Sequence, residues 1–344
     1  MTFKTVVLFN HKGGVSKTTS TYNIAWKLTD LGKRVLLVDG DPQCNLTSLL
    51  LDENFYSYYK SSASTAGANL MDAVRVAFEG RPRPISPIDC FSPTANNNLF
   101  LLPGHPNLSE YDPSLSLAMN SNNAITTLQN LPGAFSELIN QCSSRYNIDY
   151  VLIDMNPGLS AINQSLFLSS DAFIIPTNPD PFSVMAVKTL AKILPRWKQW
   201  AINSRSIFQD AAYPLPVKEN KFAGYIVQRF NLRKGRAAKP YQDRITEIGS
   251  VISDVLMPEL AKNNMCLDLS GSIAANYISS PCLAEISDFG ALLQKSHKFS
   301  KPIFKLSDDE LGSRGPIYDQ LIGNRQRFDL IFTNIANTII TSVI

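Results

Sequence analysis

The sequence has 344 residues, of which 44% are hydrophobic and 18% are charged, and its formal net charge at pH 7 is +3. These proportions are ordinary for a folded globular chain and favour it over an intrinsically disordered one. Because the net charge is small for this length, it excludes DNA binding driven by global charge, and any such affinity must come from a local basic patch.

The sequence shows no membrane-spanning segment, no signal peptide and no paired cysteines. No segment approaches the roughly 18 consecutive apolar residues that a membrane-spanning helix requires, and the first residues turn Gly-rich too early for a signal peptide. The five cysteines are scattered and never form a CxxC pair, which indicates reduced thiols rather than a metal site or a disulfide framework. We therefore expect a cytoplasmic protein that is not attached to a membrane.

The first elements along the chain are predicted to be a strand, a tight loop, a helix and a second strand. Residues 5–10, TVVLFN, form a short apolar and β-branched run, which is typical of a strand. From Lys17 an apolar pattern with helical spacing continues to Gly32. The run RVLLVD then begins at Arg34 and ends at Asp39, as expected of a strand buried on both faces of a parallel sheet.

Three later runs repeat this strand pattern and begin at Tyr150, Ala172 and Phe222. Strands that alternate with helices predict an α/β fold with a doubly wound, mainly parallel sheet flanked by helices, which we assign to a single domain of residues 1–344. Ligands of such sheets bind beyond the carboxyl ends of the strands. The residues predicted at those ends are Asn10, Asp39, Asp154 and Pro176.

Two segments lie outside this alternation. Residues 51–98 are rich in Ser, Tyr, Pro and Asn, and we interpret them as an insertion with one short helix from Leu70 to Phe78. Residues 315–343 are predicted to form a closing helix on the core, and no Lys or Arg follows Arg327 to anchor it on a membrane surface. Its apolar stripe consists of Phe328, Ile331, Phe332, Ile335 and Ile339.

The segment NHKGGVSKTT, residues 10–19, connects the first strand to the first helix, as a phosphate-binding loop does. Gly13 and Gly14 let the backbone approach phosphate groups, and the successive N–H groups of the loop form an anion-binding nest at the positive end of the helix. Lys17 is placed to neutralise the β- and γ-phosphates, and the Thr18 hydroxyl is placed to ligate Mg²⁺. A plain Gly-rich turn is the alternative, but two lysines near a helix N-terminus are unfavourable without an anion.

Three aspartates complete the predicted site. Asp39 and Asp41 follow the second strand, where a carboxylate can face the Mg²⁺ of the loop and a water near the γ-phosphate, although a turn with an Asp cap would use the same residues. Asp154 ends a later buried strand and is the expected outer partner of Mg²⁺. Three strand-end motifs in the correct order favour a nucleotide site over coincidence.

The loop resembles that of the ParA/MinD family of P-loop ATPases, whose pattern KGGxxK[ST] it matches. It departs from the ordinary GxxxxGK[ST] pattern because His11 and Ser16 stand where glycines belong. The resemblance implies a P-loop NTPase fold, ATP and Mg²⁺ as cofactors, and an extra lysine, Lys12, that reaches the nucleotide of a second copy across a dimer interface. The nucleotide-binding residues predicted from the loop are Lys12, Gly13, Gly14, Val15, Ser16, Lys17, Thr18 and Thr19.

Other segments extend this resemblance along the chain. VDGDPQCNLT is similar to the DxDPQxNxT switch segment of the family, which implies that Asp41 orients the attacking water and that Asp39 supports the metal. LAEISDFG, residues 283–290, looks like a block near the C-terminus of the family. Glu285 in this block and Gln228 after a predicted strand are interpreted as purine or ribose contacts. The catalytic residues are thus predicted to be Lys12, Lys17 and Asp41, and the metal ligands Thr18, Asp39 and Asp154.

A basic run lies between Gln228 and Arg244. Six cations in these seventeen residues form a local positive surface, which gives sequence-independent and salt-sensitive affinity for DNA, although charge runs are also typical of solvated loops. The candidate DNA contacts are Arg229, Arg233, Lys234, Arg236 and Lys239.

Two functional hypotheses follow. In the first, Mg-ATP drives a sandwich homodimer that binds nonspecific DNA, and slow hydrolysis stimulated by an unidentified partner resets it, as in DNA partition. In the second, the chain is a regulatory ATP-binding subunit that gates an effector protein with little or no hydrolysis, and residues 51–98 form the partner surface.

Overall fold

A seven-stranded parallel sheet forms the centre of the computed structural model, which describes residues 3–120, 126–233, 236–270, 277, 279–312 and 314–343. Its strands are β1 Lys4–Leu8, β2 Val35–Gly40, β3 Leu99–Leu102, β4 Tyr150–Met155, β5 Ala172–Thr177, β6 Lys221–Phe230 and β9 Cys282–Ser287. They lie in the order β3-β2-β4-β1-β5-β6-β9, and every neighbouring pair is parallel. The predicted doubly wound parallel sheet is confirmed.

The remaining strands and the helices surround this sheet. Two short strands, β7 Leu232–Arg233 and β8 Arg236–Ala237, form a separate antiparallel ribbon. The α-helices are Lys17–Asp30, Asn45–Leu51, Phe55–Tyr58, Leu70–Phe78, Asp112–Asn120, Ala134–Arg145, Ala161–Leu168, Pro181–Phe208, Lys239–Val251, Met257–Lys262, Ala291–Lys298, Asp308–Leu311 and Pro316–Ser342. Short 3₁₀ segments lie at Asp52–Asn54, Leu108–Tyr111, Thr126–Asn130 and Ile303–Lys305, and a π-helical turn lies at Ile252–Leu256.

The continuous apolar runs of the strands fit this sheet because both of its faces are covered. Val7 and Phe9 of the first strand region belong to one buried cluster, which includes the helices Ala134–Arg145 and Pro181–Phe208. Val6 and Leu8 face a second cluster, which the helices on the opposite face complete. Alternate residues of this strand thus enter two hydrophobic cores, as expected of a strand that is covered on both faces.

The helix Pro316–Ser342 closes the second core against the helix Lys17–Asp30. Four residues of its apolar stripe are buried, namely Phe328, Phe332, Ile335 and Ile339, and Ile331 is half-buried. An ion pair between Lys27 and Asp329 joins the two helices at their surface. No helix within the described ranges is both long enough and apolar enough to cross a membrane.

The segment of residues 51–98 contains the helix Leu70–Phe78 at the bounds that the sequence pattern predicts. Leu70 and Val74 of this helix are fully buried in the first core. Part of the segment therefore packs on the sheet, and its interpretation as an insertion stays a prediction.

Shortening a buried side chain of the closing helix tests how much the packing of this helix contributes to the stability of the fold. Ile335 is fully buried, whereas Leu330 in the same helix is 61% exposed. We expect Ile335→Ala to lower the free energy of unfolding by about 2–5 kcal/mol, because it removes methylene groups from a packed core. Leu330→Ala should change it by less than about 0.5 kcal/mol. Denaturant unfolding of both variants measures the difference, and equal effects would contradict the packing described.

Candidate nucleotide site

The phosphate loop is anchored at its start by Asn10, a fully buried residue two positions after the end of β1. The Asn10 amide donates to the carbonyl oxygen of Pro176 at 2.8 Å, and its side-chain oxygen accepts the backbone N–H of Lys12 at 3.0 Å. One side chain therefore ties the end of β1 to the neighbouring strand β5 and sets the direction in which the loop leaves the sheet.

Two residues of the loop adopt left-handed backbone conformations, Gly14 with φ 72° and Ser16 with φ 55°. A β-carbon in this region costs roughly 1–2 kcal/mol, which explains why the ordinary pattern has glycine at the position of Ser16. The backbone carbonyl of Ser16 accepts the N–H of Ser20 at 3.0 Å as the helix begins. The serine thus supports the turn that a glycine would form, so the departure from the pattern does not remove the loop.

The Lys17 side chain lies beneath the loop and is 7% exposed. Its ammonium donates to the carbonyl oxygens of Asn10 and Lys12 at 3.2 and 3.3 Å. Burial lowers the pKa of Lys17, and the nearby carboxylates of Asp154 and Asp41 oppose this shift. A buried cation held by neutral carbonyls is well suited to bind an anion.

The parallel register pairs Asp39 of β2 with Asp154 of β4. Asp39 already accepts hydrogen bonds from the Thr47 N–H at 2.8 Å and the Thr47 hydroxyl at 2.6 Å, and burial raises its pKa to about 6. Asp154 differs, because neither of its carboxylate oxygens accepts a hydrogen bond from the part of the chain that the structure describes. Burial first, and then the charge of Asp39, raise the pKa of Asp154 to about 8, while the nearby Thr18 hydroxyl and Lys17 lower it.

A cavity of about 530 Å³ opens above the loop. Of the nucleotide-binding, catalytic and metal-ligating residues predicted from the sequence, those that line it are Gly13, Gly14, Val15, Ser16, Lys17, Thr18, Thr19 and Asp41. Lys12, Asp39 and Asp154 are not part of its lining. Asp39 and Asp154 lie at the strand ends. Lys12, whose neighbour Gly13 lines the cavity, forms an ion pair with Asp180, and we refer to this pair as the rim of the cavity.

The two predicted purine or ribose contacts do not line the cavity either. Gln228 is fully buried and fastens the loop to β6, since its amide donates to the Val15 carbonyl at 3.1 Å and its oxygen accepts the Ser20 hydroxyl at 3.0 Å. Glu285 is exposed on β9. Their direct contact with a nucleotide stays a prediction.

Sequence reasoning missed the wall that faces the loop. It consists of Asp288, Phe289, Leu293 and His297, while Asn45, Ser48 and Leu49 of the helix after β2 line another side. Asp288 and Phe289 belong to the same LAEISDFG block as Glu285, so the block itself was the available signal. A strand ends within it, and the residues after the strand face the ligand side of the sheet.

The residues of the basic run lie in different places. Arg229 lines the cavity and donates from Nη1 to the Gly14 carbonyl at 3.0 Å, so this candidate DNA contact belongs to the loop pocket. Lys239 is exposed at the start of the helix Lys239–Val251. Arg233 and Arg236 are described only as backbone of the β7–β8 ribbon, and Lys234 lies outside the described residues.

With this geometry established, similarity to known proteins identifies the family. The family model AAA_31, described as an AAA domain, matches residues 3–205. The chain is 24% identical over 283 residues to the sporulation initiation inhibitor protein Soj of Bacillus subtilis. This alignment covers 79% of this chain and 99% of Soj. The chain belongs to the ParA/MinD family of P-loop ATPases. The predicted membership in this family is confirmed.

Two solved structures share the fold. An ATP complex of McdA from Cyanothece is 17% identical with a TM-score of 0.58, and the two chains cover 96% of each other. The structure of pNOB8 ParA bound to nonspecific DNA is 19% identical with a TM-score of 0.54, and it covers 99% of this chain and 98% of its own. At this identity the likeness shows a common architecture.

The residues of the ParA/MinD-family site fit Mg-ATP. Backbone N–H groups of the loop and the Lys17 ammonium would hold the β- and γ-phosphates, and Thr18 with the unpartnered carboxylate of Asp154 would hold the metal. A bound Mg²⁺ would neutralise charge on the phosphate oxygens. The buried Asp154 carboxylate, which lacks a hydrogen-bond donor among the described residues, is the observation that favours a cation there.

The pH dependence of stability tests the state of Asp154 in the metal-free protein. A carboxyl whose pKa is higher in the folded chain binds more protons when folded, so stability falls as the pH rises between 3.8 and about 8. We expect Asp154→Asn to remove part of this fall, by at most about 1.4 kcal/mol per pH unit. Unfolding midpoints in urea with a chelator at pH 5, 6 and 7.5 measure it. An unchanged slope would show that Asp154 is ionised throughout.

Proposed function

We propose that this ATPase is a partition-type switch. Binding of Mg-ATP joins two copies with the nucleotides between them, the dimer binds DNA without sequence specificity, and slow hydrolysis stimulated by a partner protein separates the copies. The placement of Lys12 carries this proposal. Lys17 lines the cavity of its own chain, whereas Lys12 lies at the rim and does not line it.

The contacts of Lys12 leave it free to change partners. Its ammonium pairs with Asp180 and donates to the Ser183 hydroxyl at 3.3 Å, and the side chains of Lys12 and Asp180 are 19% and 32% exposed. An ion pair at a hydrated rim contributes little, typically about 0–1 kcal/mol. A phosphate of a second copy would therefore compete well with Asp180 for the Lys12 ammonium.

Exposed apolar side chains flank this rim. Phe182 and Met185, in the first turns of the helix that begins directly after Asp180, are 68% and 63% exposed. Leu159, two residues beyond Pro157 of the cavity wall, is 42% exposed. Apolar side chains grouped beside a polar site are typical of an interface with another protein. They support contact between two copies with the loops facing each other.

Hydrolysis is assigned to Asp41 at the edge of the cavity. One oxygen of its carboxylate accepts the Gln43 N–H at 2.9 Å. Its second oxygen accepts no hydrogen bond from the described part of the chain and is available to a water molecule near the γ-phosphate. A carboxylate in this position would orient the attacking water, and a partner protein would accelerate the hydrolysis.

DNA binding is supported by the basic run and by the DNA complex of the structural neighbour pNOB8 ParA. Lys239, which is exposed at the start of the helix Lys239–Val251, would contact phosphates rather than bases. Such binding is independent of sequence and weakens steeply with salt.

A second candidate function has an observation of its own. The Tyr59 hydroxyl donates to the Gly104 carbonyl at 2.7 Å, the Gly104 N–H donates to the Thr47 hydroxyl oxygen at 3.0 Å, and that hydroxyl donates to Asp39 at 2.6 Å. This path joins residues 51–98 to the metal side of the site. It would suit a regulatory subunit whose partner docks on residues 51–98 and senses the nucleotide, with little hydrolysis.

The proposed dimer face is tested by Phe182→Asp. Because a charge at the interface would need to be desolvated, this variant should stay monomeric with a nonhydrolysable ATP analogue that dimerises the wild type, and Lys12→Ala should behave similarly. Ile202→Asp is the matched control, since Ile202 is 49% exposed farther along the same helix. Size exclusion with light scattering measures the mass.

The same samples test DNA retention. We expect nonspecific duplex DNA to retain only the analogue-bound wild type and Ile202→Asp, and to release both as salt rises. A mass that ignores nucleotide in the wild type would refute the switch. A dimer that forms without retaining DNA would instead favour the regulatory function.

A further inference from the structure

Arg229 lies at an irregularity in the pairing of β6 with β9. Gln228 pairs with Ile286 and Phe230 pairs with Ser287, so Arg229 is an extra residue between two consecutive pairs. Its φ of 61° is left-handed, which is uncommon for a residue with a side chain. Bulges of this kind redirect a side chain and are frequent beside active sites.

The redirected side chain crosses to the phosphate loop. Nη1 of Arg229 donates to the Gly14 carbonyl at 3.0 Å, and the Asn178 amide donates to the same carbonyl at 3.0 Å. Because Asn178 already satisfies that oxygen, the loop does not depend on the guanidinium for its hydrogen bond. No carboxylate of the described residues forms an ion pair with Arg229, so most of its donors remain available at the cavity wall.

The position of Arg229 along the cavity identifies the part of the ligand that it meets. The phosphate end is fixed by the loop and Lys17, whereas the opposite wall contains the apolar or planar side chains of Phe289, Leu293 and His297. Such a wall suits a purine base. Arg229 lies between these ends, since it bonds to Gly14 and is followed by Phe230, whose carbonyl accepts the Asp288 N–H at 2.9 Å.

We propose that Arg229 is a nucleotide-binding residue that covers the base and ribose of a bound purine nucleotide. Its planar guanidinium packs on the base and donates to ribose oxygens, which a lysine at this position would do poorly. This role replaces the DNA contact that the sequence suggests for Arg229. The inference rests on the proposed ATP binding and assigns a ligand contact within that site.

Equilibrium binding of ADP and of ATP with Mg²⁺, measured by calorimetry, tests this role. Arg229→Gln should raise the Kd of both nucleotides about tenfold, because the contact is made to the part that they share. Arg229→Lys should raise Kd by less, since lysine keeps the positive charge but lacks the planar guanidinium group. Asn178→Ala and Lys239→Gln serve as controls for fastening of the loop and for loss of surface charge, and each should change Kd less than about threefold.

Four outcomes would overturn the assignment. Unchanged Kd values in Arg229→Gln, or an equal rise in Asn178→Ala, would reduce Arg229 to a loop contact or a surface charge. A rise for ATP without a rise for ADP would place the guanidinium at the γ-phosphate. A wild type that binds neither nucleotide would refute the proposed function together with this inference, whereas the other three outcomes would leave the proposed function intact. Equal thermal midpoints without nucleotide establish that Arg229→Gln is folded.

Discussion

The burial of the Lys17 ammonium under its own loop is the constraint on which the site depends. The backbone carbonyls of Asn10 and Lys12 accept hydrogen bonds from the ammonium, and the Asn10 side chain ties that part of the loop to β5. Burying a cation against neutral groups is unfavourable, and the fold tolerates it because the loop is fixed by strands on both sides. The loop is therefore arranged for an anion before any ligand arrives.

The parallel register of β2 and β4 also brings two buried carboxyl groups together. It places Asp39 and Asp154 in neighbouring strands at the same level, where two ionised carboxylates would repel each other. The structure separates their roles, because Thr47 satisfies Asp39 while Asp154 receives no donor from the described residues. A bound phosphate would neutralise the buried ammonium of Lys17, and its metal ion would bind the buried carboxylate of Asp154.

Local patterns predicted the loop and the central strands because their chemistry is contiguous in sequence. The spacing of Gly13, Gly14 and Lys17 follows from phosphate geometry, and the apolar runs follow from a sheet covered on both faces. The opposite wall could not be predicted in this way. Phe289 meets the loop only because β9 pairs with β6, and strand order is not encoded in the runs themselves.

The basic run shows a second limit of pattern reading. Arg229 looks like one cation of a charged stretch, and its displacement to the loop depends on a bulge in strand pairing that residue type does not reveal. Gln228 shows the converse case. A polar residue at a strand end resembles a ligand contact, yet its amide holds the loop backbone to β6 from below.

The proposed site depends on two buried groups that Mg-ATP would complete, the Lys17 ammonium and the Asp154 carboxyl, and proton release on binding tests this most directly. At pH 7 a carboxyl with a pKa of about 8, as at Asp154, is mostly protonated and must lose its proton to ligate a metal. Calorimetric titration with ATP in buffers of different ionisation enthalpy should show Mg²⁺-dependent binding with net proton release. Binding that is absent, or that is indifferent to Mg²⁺ and releases no proton, would contradict the account.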